Sequence, residues 1–407
     1  MHHEVTEEAE MLPLQGIRIL EVSRLVAGAY CSMILADLGA EVIKVEQPGV
    51  GDDTRQLGPP FINGESAYFF SLNRNKMSLT LDLKKEKAKE IFRELAKQSD
   101  VVIENFRPGI MEKLGLGYQD LQKIRPDLIY CSITGFGRSG PYKDRPATDP
   151  ILQATGGLME LIGNPGEKPL RIALPIIDMT SGLYAHGSIL AALIARAKDK
   201  KSHFIEISLL NTVLSLLLYM GSNYLMAGQV PKRQGNAHPN IVPYNIFSTK
   251  DQDVFLSVSS DARWKTLCKF CELEDLIDDP RFSTNAARIQ NRAEVEKILQ
   301  KKLGEKTADE WMKTMEKTGG GVPFAVINSM DRVFKDPHVI ASGILTEITH
   351  PVTGPIKMVG MPVLYDFSRE QIRLPPPRLG EHNHKILKRF LRYSDQDLES
   401  LKKDGVI

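Results

Sequence analysis

An open, largely parallel α/β sheet followed by a smaller α+β domain is the architecture this sequence predicts, and three observations predict it. Short β-branched runs alternate with helical periods over the first half of the chain. The texture then changes to a hairpin and charged amphipathic helices, and 407 residues are too many for one small core. We place a large domain over 12–225, a small α+β domain over 226–330, and a C-terminal segment over 331–407 that packs back on the large domain.

The first run, Ile17 to Val22, reads as a buried strand, and a helix-like stretch follows to Leu38. Further strands are expected at Glu41 to Glu46, Met77 to Leu83, Asp100 to Ile103 and Leu128 to Ile133. Turn residues follow them (Gln47-Pro48-Gly49, Arg107-Pro108-Gly109, Thr134-Gly135-Phe136-Gly137), and the carboxyl ends of parallel strands are where ligands gather. No charge occurs between Glu206 and Lys232. That length would span a bilayer, but Asn211, Ser215, Ser222, Asn223 and Gln229 interrupt it, so one long buried or subunit-interface helix is expected. Beyond it, Tyr244 to Thr249 and Val254 to Ser259 flank the turn Lys250-Asp251-Gln252-Asp253 as a hairpin. Helices are expected between Ala262 and Lys317 and again at Lys385 to Arg392.

Charge and cysteine content exclude several classes of function. With 52 Lys+Arg against 51 Asp+Glu, no global field favours nucleic acid or an anionic membrane. Four cysteines are too few for a disulfide framework, and an acidic N-terminus lacks a leader pattern, so a reducing, cytoplasmic setting is expected. Cys268 and Cys271 have the spacing of half a zinc site but no second pair, and we read them as core residues with no metal.

A dinucleotide enzyme would carry G-x-G-x-x-G after the first strand. Here the turn is Ser23-Arg24-Leu25-Val26-Ala27-Gly28-Ala29, with one fitting glycine, although Glu46 stands near the place of a ribose-binding acid. Basic and amide side chains occur at strand ends instead: Asn73-Arg74-Asn75-Lys76, and Glu104-Asn105-Phe106-Arg107-Pro108-Gly109 with Lys113 a turn later. Such residues suit a phosphorylated ligand with an aromatic head, Phe106 offering its ring to an adenine. Asp149 followed by Pro150 reads locally as a helix start, with the acid as N-cap.

Together with Leu14 to Glu21, Leu38 to Glu46, Gly51-Asp52-Asp53-Thr54-Arg55 and Gly135 to Pro141, these blocks resemble the class III (CaiB/BaiF) CoA-transferases, and within them the succinate–hydroxymethylglutarate branch. The resemblance runs from about Leu12 to the end. It implies a Rossmann-like large domain binding coenzyme A as an acyl-CoA substrate, and two subunits interlocked like linked rings. A homodimer is expected, a heterodimer with a related subunit being the alternative. It places coenzyme contacts on Val26, Ala27, Lys76, Asn105, Phe106 and Lys113, and the nucleophile on Asp149. Gln47 and Thr134 stand where formyl-CoA transferases carry basic residues, and neither is assigned as a phosphate ligand.

The implied reaction moves coenzyme A from an acyl-CoA, succinyl-CoA by resemblance, to a small carboxylic acid, through mixed anhydrides and an aspartyl thioester. Gly137 and the loop containing Gly235 and His238 are candidates for oxyanion or substrate contacts. Arg24, Arg145 and Arg171 are candidates for a distal carboxylate. A 2-methylacyl-CoA racemase is the first alternative; it needs a histidine before the aspartate, where Thr148 stands, and a second acid, where Asp178 falls. Without that role Asp178 reads as the N-cap of the helix towards Ala195. An aryl-acid (benzylsuccinate-type) transferase subunit, with an apolar pocket from Leu216 to Met226, is the second.

Overall fold

Six strands form the central sheet of the computed structural model, which describes residues 12–317, 321–365 and 372–407. They are β1 (Arg18–Glu21), β2 (Glu41–Glu46), β3 (Lys76–Thr80), β4 (Val101–Glu104), β5 (Ile129–Thr134) and β6 (His203–Ser208). All pairings are parallel and the spatial order is β3-β2-β1-β4-β5-β6. The order reverses between β1 and β4, which opens a crevice at their carboxyl ends. The inner strands are covered on both faces: every residue of β4 and β5 is buried, as a sheet flanked by helices requires.

The edge strand β6 was not among the expected strands. Ile205 and Ile207, two apart beside Phe204, were its signal, but it runs straight into the uncharged segment that reads as helix. That segment is two helices, not one. Leu209–Leu216 and Leu218–Ala227 meet at a bend of 80°, with Leu218 held at φ 41°, outside the right-handed helical region. Among the described residues no single helix is long and apolar enough to cross a membrane.

The chain divides into two compact units. The first extends to Gly156 and adds Ile172–Ser222 and His338–Ile407; the second comprises Gly157–Arg171 and Asn223–Pro337. This differs from a division at 225 and 330 chiefly in the excursion 157–171. In the first unit the C-terminal helices Asn383–Leu391 and Asp395–Lys403 bury Ile386, Leu387, Leu398 and Leu401 in the core that holds Leu20, Ile43 and Leu79. In the second unit the expected hairpin forms as Tyr244–Ser248 and Asp253–Ser257, joined by Phe324–Val326 in a three-stranded antiparallel sheet. Its core is built on Trp264, Phe270 and Trp311, and Cys268 and Cys271 lie within it as the sequence reading expected. Burial pushes both thiols up to about 12, which keeps them protonated and inert.

One polar cluster interrupts the first unit's core. Glu21, at the end of β1, is completely buried with Lys44 of β2 and Lys76 of β3. Its Oε1 accepts from Lys44 Nζ at 2.7 Å and Ser23 Oγ at 2.7 Å. Its Oε2 accepts from Ser32 Oγ at 2.7 Å and pairs with Lys76 Nζ at 3.0 Å. Burial alone would raise this carboxyl, but the two ammoniums outweigh it and hold Glu21 well below the usual carboxylate range. Replacing Glu21 by Gln removes the carboxylate partner of buried Lys76 and one of the two that Lys44 holds, so we expect a loss of about 3–5 kcal/mol of stability, read from the urea unfolding midpoint.

Candidate active site

The crevice between β1 and β4 is built without a glycine fingerprint. After β1 the turn reverses at Leu25, which adopts φ 62°, and helix α1 (Ala27–Asp37) begins behind it. Asn105 closes that turn from the end of β4. Its Oδ1 accepts from Arg24 N at 2.8 Å and its Nδ2 donates to Arg24 O at 2.6 Å. Gly28 is required because a Cβ there would lie 2.4 Å from Ser23.

A cavity of about 250 Å³ opens at these loops, lined by Val22–Arg24, Glu46–Gln47, Gly51–Asp52, Leu81–Lys84 and Phe106, among others. That is below the usual range of about 300–1000 Å³ for small-molecule sites, so it suits one end of an extended ligand. Phe106 supplies a half-buried ring, and Arg24 and Lys84 supply cations at the rim. Lys84 was missed by sequence reasoning; its only signal was its position just past a strand end. Arg24, expected near a distal carboxylate, lines this cavity and pairs with Asp53. Glu46 cannot serve a ribose freely: both its oxygens are engaged by Arg55, at 2.7 and 2.8 Å, and Ser78 adds a third bond at 2.6 Å.

Of the expected coenzyme contacts only Phe106 lines this cavity; Val26, Ala27, Lys76, Asn105 and Lys113 are not among its lining residues. Val26 and Ala27 are buried at the N-terminus of α1, and Lys113 is exposed at the end of the short helix Ile110–Lys113. Lys76 lies sealed beneath, its Nζ bonded to Ala29 O at 2.8 Å and Asn73 Oδ1 at 2.9 Å besides Glu21. The run Asn73–Lys76 is thus internal. Arg74 is bidentate to Asp37, and Asn75 Oδ1 accepts from Arg373 N and Leu374 N.

Two carboxylates meet at the start of the long helix α2 (Ile176–Asp199), and their roles in the fold differ from those read locally. Asp149 is not an N-cap. Thr148 takes that place, and Asp149 is the first residue of its own helix, Asp149–Thr155. Its side chain caps α2 instead: Oδ2 accepts from Ile177 N at 2.7 Å and Asp178 N at 3.2 Å, and Oδ1 accepts from Gln153 Nε2 at 2.5 Å. The carboxylate is buried, at 6% exposure, with both oxygens engaged. Gln153 is itself fixed, accepting from Ile172 N at 2.9 Å.

Asp178 likewise is not a cap. It is the third residue of α2, whose N-cap position is Pro175. Its carboxyl is half-buried and, among the described residues, neither oxygen accepts a hydrogen bond. Burial first, and the neighbouring Asp149 charge second, raise it to about 7. Tyr68, at 38% exposure, faces the same pair: burial and then the charges of Asp178 and Asp149 push its phenol up. No sequence pattern marked Tyr68.

Packing ties this pair to the cavity. Met179, adjacent to Asp178, packs with Val26, Ala29 and Leu72, so the carboxyl-bearing turn rests on the turn that follows the cavity loop. Gly182 permits the approach, since a Cβ there would meet Ala27 O at 2.8 Å and Tyr30 Cδ1 at 3.2 Å. We expect Gly182→Ala to push α2 off α1, costing about 1–3 kcal/mol and lowering kcat more than the stability loss explains; calorimetry and steady-state rates on one preparation check it.

The remaining candidates lie apart in the chain. Gly137 adopts φ 89° in the loop after β5, beside Arg138 N, which donates to Glu206 Oε1 at 2.6 Å. Gly235 (φ 63°) and His238 belong to the second unit, where His238 Nδ1 accepts from Asn240 N at 3.1 Å and its ring packs on Tyr244. Arg145 stacks on Tyr142 at 3.6 Å, and Arg171 ends the excursion 157–171.

Comparison with known proteins gives this geometry a context. Residues 14–383 match the profile described as CoA-transferase family III. The chain is 42% identical over 395 residues to the succinyl-CoA:glutarate CoA-transferase of Homo sapiens, covering 97% of this chain and 90% of that one. It is 37% identical to the succinate–glutarate CoA-transferase of Agrobacterium fabrum, covering 92% and 95%. Among solved structures, a CaiB/BaiF family protein from Brucella suis superposes with a TM-score of 0.85 at 38% identity, covering 94% of this chain and all of that one.

Proposed function

Because the chain belongs to CoA-transferase family III, and is therefore an enzyme that works on CoA thioesters, we propose that it moves coenzyme A from succinyl-CoA to a dicarboxylic acid such as glutarate, with Asp178 as the carrier. The observation that carries the assignment of the carrier is the contrast within the carboxylate pair. A nucleophile needs an oxygen free to attack, and Asp149, the residue favoured by resemblance, has both of its oxygens occupied by backbone and amide donors. Asp178 has free oxygens and, with its raised pKa, the more basic carboxylate.

In this reading the Asp178 carboxylate attacks the thioester carbonyl of succinyl-CoA, and the C–S bond breaks to release CoA thiolate and a succinyl-aspartyl anhydride. The thiolate then attacks the aspartyl carbonyl; succinate leaves and an aspartyl-CoA thioester remains. The acceptor carboxylate repeats both exchanges in reverse order and restores Asp178. Each step exchanges an anhydride for a thioester, so no external energy source is required. Asp149 acts as a positioning residue, fixing the first turn of α2 so that Asp178 faces outward, while the positive end of the helix opposes the cost of its charge.

Support for coenzyme A binding comes from the Rossmann-like strand order and the cavity at its switch point, where Phe106 takes the adenine and Arg24 and Lys84 the nearby phosphate. We also propose an interlocked homodimer. Leu218, Leu225 and Met226 are 71%, 83% and 86% exposed on the uncharged segment, an arrangement that calls for cover by another subunit. Four buried, free cysteines agree with a cytoplasmic setting. Thr148, which cannot act as a base near neutral pH, disfavours the racemase reading.

Asp178→Asn is expected to lower transfer on the order of 10⁴-fold or more, and mass spectrometry of enzyme incubated with succinyl-CoA and trapped should map the CoA adduct to the peptide containing Asp178. An adduct on Asp149 would reverse the assignment. Since the ionised form attacks, kcat/KM for succinyl-CoA should fall as pH drops through about 7. Asp149→Asn removes the like charge and should move that acid limb to lower pH.

A further inference from the structure

We propose that Lys44, although it is sealed from solvent, is a positioning residue that sets the coenzyme cavity. This rests on the reading that the cavity holds coenzyme A. Lys44 lies in the middle of β2 with no exposed surface, and its ammonium makes two hydrogen bonds to the end of β1 and the loop that follows it and one ion pair to the loop after β2. It reaches Glu21 Oε1 at 2.7 Å, Ser23 O at 3.1 Å and Asp52 Oδ2 at 2.8 Å. Ser23 and Asp52 both line the cavity, from the loops that follow β1 and β2.

Asp52 extends the tether. Its Oδ1 accepts from Thr54 N at 2.9 Å, Thr54 Oγ1 at 2.8 Å and Leu25 N at 3.2 Å, the last on the left-handed residue that turns the first loop. One buried ammonium therefore fixes both walls of the cavity, and Asp52 ties them to each other. Three contacts from a single charge leave no alternative register for either loop, because moving one would strand a buried charge. A hydrophobic residue of similar length would fill the space but hold neither loop.

The reaction itself separates this role from simple loss of folded protein. In a ping-pong enzyme, kcat/KM for each substrate reports its own half-reaction. Capture of succinyl-CoA depends on the cavity walls, whereas the acceptor acid meets coenzyme already tethered to the enzyme as a thioester. Lys44→Met should lower kcat/KM for succinyl-CoA by about 10- to 100-fold. It should leave kcat/KM for the dicarboxylic acceptor within about two-fold of wild type. Asp52→Asn, which keeps the shape of the loop anchor, should give a smaller change of the same kind and serves if Lys44→Met does not fold.

Titration calorimetry with free coenzyme A, on the same variants and on Phe106→Ala, completes the test. Weakened binding in all three supports the proposal. An equal fall in both values of kcat/KM, or unaltered binding in the Lys44 and Asp52 variants while Phe106→Ala binds weakly, overturns it and leaves the cavity reading intact. Unaltered binding in Phe106→Ala overturns the cavity reading instead.

Discussion

A single buried carboxylate, Glu21, is the constraint around which the first unit is organised. Two lysines from neighbouring strands each give it one bond, and two serines complete its four acceptor positions. The arrangement is costly to desolvate and worthwhile only when complete, which is why each ammonium also finds two further partners. Lys44 directs its other contacts to the cavity loops, and Lys76 directs one to the first turn of α1 and one to Asn73. The cluster thus converts the register of three parallel strands into the placement of two separate pieces of the site.

From there the coupling is by packing rather than charge. The first turn of α1 carries Val26 and Ala29, Met179 rests on them, and the neighbouring residue is Asp178. Gly182 lets α2 approach within reach of the α1 backbone. Asp149 then fastens the start of α2 from the other side, accepting the amide hydrogens that a helix N-terminus leaves unpaired. Two adjacent acids consequently differ in kind: one is consumed in holding the helix, and the other is raised in pKa and left open.

This difference explains where local reading of the sequence succeeded and failed. Five of the six sheet strands, α1, the hairpin and the core cysteines were legible because periodicity and turn residues are properties of a few adjacent residues. Strand β6 was hidden by the uncharged run that follows it, and the expected single helix breaks at Leu218 because its backbone turns left-handed there, which no composition records. Lys76 has the sequence context of a phosphate ligand, and only the sheet pairing that brings it beneath Glu21 reveals it as a core residue.

The sequence by itself determined the fold class, the family and the short list of acids from which the reactive one is drawn, since ordered blocks of residues survive as patterns along a line. What tells those acids apart is visible only in the tertiary structure. Asp149 and Asp178 are 29 residues apart, and both look locally like helix caps. Their chemistry depends on which one the amides of α2 point at, and a hydrogen bond across that separation exists only once the helices have packed.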